Sequence, residues 1–143
     1  MKKLLLPIDG SDCALRAVEL VISQRALYRD PDNFEVHLVN VQVPFSSNIS
    51  RFVSHEQLAC YHQEESEKAQ QQACTLLAAA GVKTVCHHEV GMPAEVITRL
   101  ADALQCDRIV MGTYGRGAFK EFLVGSITLK VIQLSHVPIL LVK

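Results

Sequence analysis

Short apolar segments and segments of helical periodicity alternate along the chain. The apolar segments have the length of strands, and their lack of polar alternation is typical of strands buried on both faces of a parallel sheet. The pattern predicts five such strands, at residues 4–9, 34–41, 82–90, 108–111 and 138–142. Helical spacing of apolar residues follows the first, third and fourth strands, and a longer helix at about 56–80 follows the second.

Local signals mark the helix ends. Ser11 is a good N-cap for the first helix, Gly81 is placed to end the long one, and Pro93 fits a first helical turn. The last helix is predicted to start at Gly125-Ser126, with the Ser126 hydroxyl as its cap. Residues 44–54, rich in Ser and Asn, predict a loop. The charged middle of the long helix predicts a solvated face.

Strict alternation of strands and helices predicts a parallel sheet with right-handed crossovers and helices on both faces. We expect one domain over residues 1–143, a three-layer, doubly wound α/β fold with strand order 3-2-1-4-5. In this order the winding reverses between the first and fourth strands. Ligands of open parallel sheets bind at such a point, outside the carboxyl ends of the strands.

Composition narrows the function classes. The net charge is -1 and Lys and Arg are scattered, which argues against a nucleic-acid surface, and no apolar run approaches membrane-spanning length. The five cysteines are odd in number and never spaced C-x-x-C, which argues against a disulfide framework or zinc site and fits a reducing cytoplasm. All five are expected to be buried or half-buried. The histidine pairs His55/His62 and His87/His88 predict no metal site.

The main candidate for a ligand-binding segment follows the fourth strand. Gly112 and Gly115 form a loop, and nine residues later Gly125-Ser126 opens a helix. Backbone N–H groups of small residues and of a first helical turn, with the positive end of the helix dipole, bind anions such as phosphate. Asp9, which ends the first strand, faces this loop across the predicted crevice. A carboxylate there would accept ribose hydroxyls or hold a cation.

Known phosphate-binding signatures are not matched. Gly117 is followed by Ala118 where a P-loop needs Lys, and Gly115-Arg116-Gly117 does not continue as G-x-G-x-x-G. Asp9-Gly10-Ser11 also differs from the S-G-G-x-D-S loop of adenylating ATP pyrophosphatases.

The spacing G-x-x-G, nine residues, G-[ST] resembles the ATP-binding branch of the universal stress protein family. The likeness extends from Pro7-Ile8-Asp9-Gly10-Ser11 at the front to Val137-Pro138-Ile139-Leu140-Leu141-Val142 at the end. It implies a Rossmann-like fold of the adenine nucleotide alpha hydrolase type and ATP as ligand, held with Mg or Mn in some members. It also implies a homodimer built through residues 139–142.

Twelve positions are predicted to bind the nucleotide: the resemblance assigns eleven, and Arg116 is added as a source of positive charge. They comprise an adenosine side near strand one, an adenine contact after strand two, and ribose and phosphate contacts around strand four: Pro7, Ile8, Asp9, Val41, Met111, Gly112, Thr113, Gly115, Arg116, Gly125, Ser126 and Ile127. Tyr114 stands where His or Arg is frequent in the family, so Arg116 and Lys120 are the candidates for positive charge.

Three functions stay open at this point. The first is a cytoplasmic, ATP-binding regulator of the stress response. The second is a slow ATP hydrolase or an adenylating enzyme, for which Glu121 is a weak candidate base and no catalytic residue is assigned. The third is a ligand-free interaction dimer, which the intact glycine motif disfavours.

Overall fold

The computed structural model describes residues 2–114 and 124–143, which form five strands, five α-helices and one 3₁₀ turn. In chain order the elements are β1 Lys2–Pro7, α1 Asp12–Gln24, the 3₁₀ turn Arg25–Leu27, β2 Phe34–Gln42, α2 Ser47–Ser50, α3 His55–Ala79, β3 Lys83–Val90, α4 Pro93–Ala103, β4 Arg108–Gly112, α5 Ser126–Leu134 and β5 Ile139–Val142.

The strands form one parallel sheet in the order β3-β2-β1-β4-β5, which confirms the predicted topology. Strand β1 ends at Pro7, two residues earlier than predicted. The chain turns there, because Gly10 has a φ of 81°. Ile8 still donates its N–H to the Val39 carbonyl at 2.8 Å, so the end of β1 stays attached to β2.

Two apolar cores lie on opposite faces of the sheet. Leu4 and Leu6 of β1 pack on one face with residues of α1 and α3. Leu5 packs on the other face with residues of α4 and α5. All three leucines are at most 1% exposed. The central strand is therefore apolar at every position between Lys3 and Pro7, as a parallel sheet with helices on both faces requires.

Helix α3 has a defined residue at each end, of which only Gly81 was expected from the sequence. The Ser54 hydroxyl accepts from the Gln57 N–H, and the Gln57 side chain accepts from the Ser54 N–H, a capping box. Gly81, with φ of 65°, follows the last turn as predicted. The loop predicted at 44–54 instead contains the single turn α2, which is too short to show apolar periodicity.

The middle of α3 packs on β3 through polar side chains. Gln63, Glu64 and Glu67 are exposed, as predicted for a solvated face. The buried side of the same stretch is formed by Ser66, whose hydroxyl lies 2.8 Å from His88 Nδ1, and by Gln70, which donates to the His87 carbonyl at 2.9 Å. The apolar pattern is weak here because hydrogen bonds replace apolar contacts.

The expectation for the cysteines is wrong at two positions. Cys13 and Cys106 are buried and Cys74 is half-buried, whereas Cys60 and Cys86 are exposed. Cys60 lies on the outer side of α3, and Cys86 lies on β3, which is an edge strand. Within residues 2–114 and 124–143, no group of three or more His, Cys, Asp or Glu side chains is arranged to hold a metal ion. None of the helices in these ranges combines the length and apolar character needed to cross a membrane.

Four titratable side chains lie in a row across β2 and β3, on the face of the sheet that α4 covers: Lys83, Glu35, His37 and His87. Buried Glu35 forms an ion pair with Lys83 and lies 2.8 Å from His37 Nε2. The ring nitrogens His37 Nδ1 and His87 Nε2 are 2.9 Å apart. The hydrogen bond from Lys83 lowers the pKa of Glu35, against the opposing effect of burial. Burial, followed by the nearness of His37, lowers the pKa of His87.

These two shifts predict that acid destabilises the protein in two steps. The unfolded chain binds a proton at His87 near its ordinary pKa of 6.5 while the folded chain does not, so the free energy of unfolding falls as the pH drops below 6.5. Glu35 stabilises the fold above its ordinary value of 4.5, and this contribution is lost as the pH falls through its lower folded pKa.

Urea denaturation from pH 8 down to about pH 3 measures both steps, because the second step begins only below pH 4.5. We expect His87→Gln to flatten the first step and Glu35→Gln to flatten the second. The matched control is His136→Gln, since the His136 side chain is 87% exposed. A wild-type slope near pH 6 in His87→Gln would contradict the assignment.

Candidate functional site

A cleft opens at the carboxyl ends of β1, β2 and β4, between the first turns of α4 and α5. Its volume, including the open mouth, is about 580 Å³. Its walls are mainly apolar, with hydroxyl, amide and carboxylate groups among them. The lining residues are Pro7, Ile8, Asp9, Ser11, Ala14, Val39, Asn40, Val41, Pro93, Ile97, Met111, Gly112, Tyr114, Ile127 and Thr128.

The turn between β1 and α1 fixes the carboxylate of Asp9. Asp9 Oδ1 accepts the N–H of Ser11 at 2.9 Å across Gly10. The Ser11 hydroxyl in turn accepts the N–H of Ala14 at 3.2 Å and caps α1, as predicted. A carboxylate held by its own turn keeps one position, which favours recognition of a ligand hydroxyl or a cation.

Asn40 is a buried polar residue of the cleft that sequence reasoning missed. Its side-chain amide donates to the Ile8 carbonyl at 2.7 Å, and its Oδ1 accepts from Gln42 Nε2 at 2.7 Å. The side chain therefore ties the ends of β1 and β2 together and forms part of the cleft wall. The signal was an amide within the apolar strand 34–41, which only a specific hydrogen-bond partner would make tolerable.

Gly112, at the end of β4, lines the cleft and is also packed closely against α1. A Cβ on Gly112 would lie 2.7 Å from Cys13 Sγ and 3.0 Å from the Cys13 carbonyl carbon. The first turn of α1 therefore rests directly on the backbone of β4. Thr128 of α5 donates its hydroxyl to the Gly112 carbonyl at 3.2 Å, so α5 is fixed to the same point.

The predicted cap of α5 is wrong by one residue. Gly125 is the N-cap, without a side-chain hydrogen bond, and Ser126 is the first helical residue. The Gly125 N–H donates to the Thr113 carbonyl, and this bond places the cap one position before Ser126. Gly125 has no side chain, so it accepts no side-chain hydrogen bond from the N–H groups in the first turn of α5.

Seven of the twelve predicted positions line the one cleft: Pro7, Ile8, Asp9, Val41, Met111, Gly112 and Ile127. Thr113 instead has a buried side chain whose Oγ1 lies 3.9 Å from Cys13 Sγ. Ser126 is exposed in a shallow depression beside the cleft, and Gly125 lies behind Tyr114. Gly115 and Arg116, with Lys120 and Glu121, lie outside the described residues.

The model of the universal stress protein family, Usp, matches residues 1–143. The chain belongs to the universal stress protein family. It is 32% identical over 142 residues to universal stress protein MJ0531 of Methanocaldococcus jannaschii, covering 99% of this chain and 82% of the relative. It is 28% identical over 146 residues to universal stress protein YxiE of Bacillus subtilis, covering 99% of this chain and 98% of the relative.

Solved structures show the same fold. The structure of MJ0577, also from Methanocaldococcus jannaschii, superposes with a TM-score of 0.82 at 32% identity, covering 99% of this chain and 95% of that one. The universal stress protein of Archaeoglobus fulgidus in complex with dAMP has a TM-score of 0.69 at 20% identity, covering 100% and 98%. A family member from Arabidopsis thaliana with AMP bound has a TM-score of 0.70 at 17% identity, covering 100% and 92%.

The packing at Gly112 generates a prediction about stability in this universal stress protein. We expect Gly112→Ala to lower the free energy of unfolding by about 1–3 kcal/mol, because the added methyl group overpacks Cys13. Gly125→Ala is the matched comparison, because a Cβ added there would be less crowded: its nearest atom would be the Tyr114 Cα at 3.2 Å. Denaturant unfolding of both variants measures the difference. A larger loss at Gly125 than at Gly112 would contradict this account of the packing.

Proposed function

We propose that this universal stress protein is a regulator that binds ATP, with Mg or Mn, in the cleft between β1 and β4. The observation that carries the proposal is the convergence of residues from opposite ends of the chain. Pro7, Ile8 and Asp9 and, a hundred residues later, Met111 and Gly112 line the same cleft. This cleft lies at the point where the winding of the sheet reverses, where α/β proteins bind ligands.

The apolar end of the cleft suits an adenine ring. Ile8, Val41 and Met111 are among its lining residues, and Ile97 of α4 lies there too. A flat base gains affinity from apolar walls and specificity from a few fixed polar groups. The backbone at the end of β2, held by Asn40, is our candidate for those polar groups.

The ribose and phosphates occupy the other end in this proposal. The Asp9 carboxylate accepts ribose hydroxyls, since it would repel phosphates placed beside it. The first turn of α5, with the loop from Gly112 through Gly115, donates N–H groups to the phosphates. Arg116 and Lys120 add positive charge, and the phosphate oxygens hold the Mg or Mn ion.

The nucleotides of structural neighbours support an adenine ligand. Universal stress proteins of the same fold are known in complex with cAMP, with AMP and with dAMP. These ligands share the adenine ring and one phosphate, so they support an adenine nucleotide as the class of ligand. ATP as the particular nucleotide, and Mg or Mn with it, are what the resemblance to the ATP-binding branch of the family implies.

A regulatory role fits the site better than ATP turnover does. Rapid hydrolysis needs a base or a water-orienting group near the γ-phosphate. The polar residues that line the described cleft are Asp9, Ser11, Asn40, Tyr114 and Thr128, and we assign none of them to that role. We propose that occupancy by ATP, in the cytoplasm, changes which partners the protein engages.

Isothermal titration calorimetry with ATP and Mg²⁺ tests the ligand proposal. We expect Val41→Trp to weaken ATP binding at least tenfold, a loss of about 1.4 kcal/mol, because the indole fills the adenine position. Val43→Trp is the control, since Val43 is 57% exposed and follows the end of β2. AMP, cAMP and dAMP titrated in parallel show whether the additional phosphates of ATP contribute.

Silent calorimetry with every nucleotide would overturn the binding proposal and favour the ligand-free interaction dimer. Turnover of ATP well above the buffer rate would favour the slow hydrolase instead. Equal weakening by Val41→Trp and Val43→Trp would contradict the adenine position alone.

We also propose that two copies pair through β5. Ile139–Val142 is an edge strand, half-buried along its whole length, and such an edge invites pairing with another strand. We expect the wild type to be dimeric by light scattering and Leu141→Lys to be monomeric. Leu27→Lys, at a residue 82% exposed on the 3₁₀ turn, is expected to stay dimeric. A monomeric wild type would contradict the proposal.

A further inference from the structure

A second concave surface lies beside edge strand β3, at the opposite edge of the sheet from β5. It is an open groove between α3 and β3, and its lining includes Gln70, Gln71, Cys74, Thr75, Cys86 and His88. The groove contains two of the five cysteines. Strand β2 separates β3 from β1, so the groove is distinct from the nucleotide cleft.

The two thiols of the groove are in contact. Cys74 Sγ of α3 and Cys86 Sγ of β3 are 3.2 Å apart, although they are twelve positions apart in the chain. A disulfide bond is about 2.05 Å long, so the sulfur atoms need to approach by only about 1 Å to form one. Cys86 is exposed to solvent and Cys74 is half-buried.

Neighbouring hydrogen bonds keep the helix and the strand together. The Ser66 hydroxyl lies 2.8 Å from His88 Nδ1, and Gln70 donates to the His87 carbonyl at 2.9 Å. Both Ser66 and Gln70 are 1% exposed. Beyond Cys74 the chain turns at Gly81 directly into β3. The thiols are thus brought together by a segment fixed on both sides of them.

We propose that Cys74 and Cys86 are a redox-active dithiol that a hydroperoxide converts to a reversible intramolecular disulfide. In the first step the exposed Cys86 sulfur attacks the outer oxygen of the peroxide. The O–O bond breaks, and the outer oxygen with its hydrogen stays on sulfur as the Cys86 sulfenic acid. The departing oxygen takes up the proton of the Cys86 thiol and leaves as an alcohol or, from hydrogen peroxide, as water. The thiol is oxidised by two electrons and the peroxide is reduced by two.

In the second step Cys74 attacks the Cys86 sulfenic sulfur. The S–S bond forms, the S–O bond breaks, and the hydroxyl leaves as water with the proton of Cys74. Burial and the contact with Cys86 raise the pKa of Cys74 to about 12. Cys74 is half-buried and in contact with the Cys86 sulfur, so it meets the sulfenic acid rather than the peroxide and acts as the resolving thiol. A dithiol reductant reverses the reaction by exchange.

The exposed Cys60 is a natural internal control. It donates to the Glu64 carboxylate at 3.5 Å on the outer side of α3, and this hydrogen bond and the charge of Glu64 raise the pKa of the Cys60 thiol. A raised pKa lowers the thiolate fraction and hence the reactivity toward peroxide. If exposure alone decided reactivity, Cys60 would be oxidised as readily as Cys86. The dithiol proposal instead predicts oxidation of the Cys74–Cys86 pair.

Peroxide treatment of the reduced full chain, followed by alkylation and peptide mapping, tests the proposal. We expect the number of alkylatable thiols in the denatured wild type to fall from five to three, with one cross-link joining Cys74 to Cys86 that dithiothreitol reverses. Cys60→Ser should form the same cross-link. Cys74→Ser should form none and should instead accumulate a Cys86 sulfenic acid that a dimedone probe traps.

Three results would overturn the proposal. One is a wild type that keeps all five thiols at a peroxide dose that modifies Cys86 in Cys74→Ser. Another is a wild type in which peroxide produces a cross-link through Cys60 between two chains, visible on a non-reducing gel, and no cross-link between Cys74 and Cys86. The third is equal accumulation of trapped sulfenic acid at Cys86 in the wild type and in Cys74→Ser. The second readout uses the wild type alone, so it stands even if a variant fails to fold.

Discussion

The burial of β1 on both faces is the constraint on which the rest of the architecture depends. Its leucines contribute to two separate cores, so helices must cover the sheet on both sides of this strand. The chain winds to one side through β2 and β3 and to the other through β4 and β5. The carboxyl end of β1 is therefore the place where no crossover helix closes the sheet, and a cleft opens there.

Close backbone packing gives this cleft its shape. Gly112 lets α1 approach β4 until Cys13 contacts the strand. The Thr128 hydroxyl donates to the Gly112 carbonyl and so fixes α5 to the same residue. On the other side Asn40 joins the ends of β1 and β2. Glycine at position 112 thus serves the packing of the fold, and the same residue forms part of the cleft wall.

The fold could be predicted from the sequence because its signals are local and repeated. Apolar strands alternate with amphipathic helices, and Ser11, Gly81 and Pro93 mark helix ends by their own chemistry. Predictions that depended on a partner elsewhere in the chain did less well. Ser126 resembles an N-cap, yet the bond from Gly125 to Thr113 moves the cap. Cys60 and Cys86 look like core residues until the position of their elements is known.

The sequence predicted those residues of the cleft that belong to a recognisable motif. The glycine spacing pointed to the end of β4, and the strand order brought Asp9 to the same cleft. Asn40 and Ile97 carry no such pattern, since an amide in a strand and an isoleucine in a helix stripe look structural. The Cys74–Cys86 contact was equally hidden, because it depends on how α3 crosses β3.

The central claim, that the end of β1 and the end of β4 together hold a nucleotide, is tested most directly by a crystal structure grown with ATP and magnesium. The account predicts adenine beside Ile8 and Val41, the ribose within hydrogen-bond distance of the Asp9 carboxylate, and phosphates at the first turn of α5. A well-ordered crystal with this cleft empty, or with ATP bound at another surface, would contradict it.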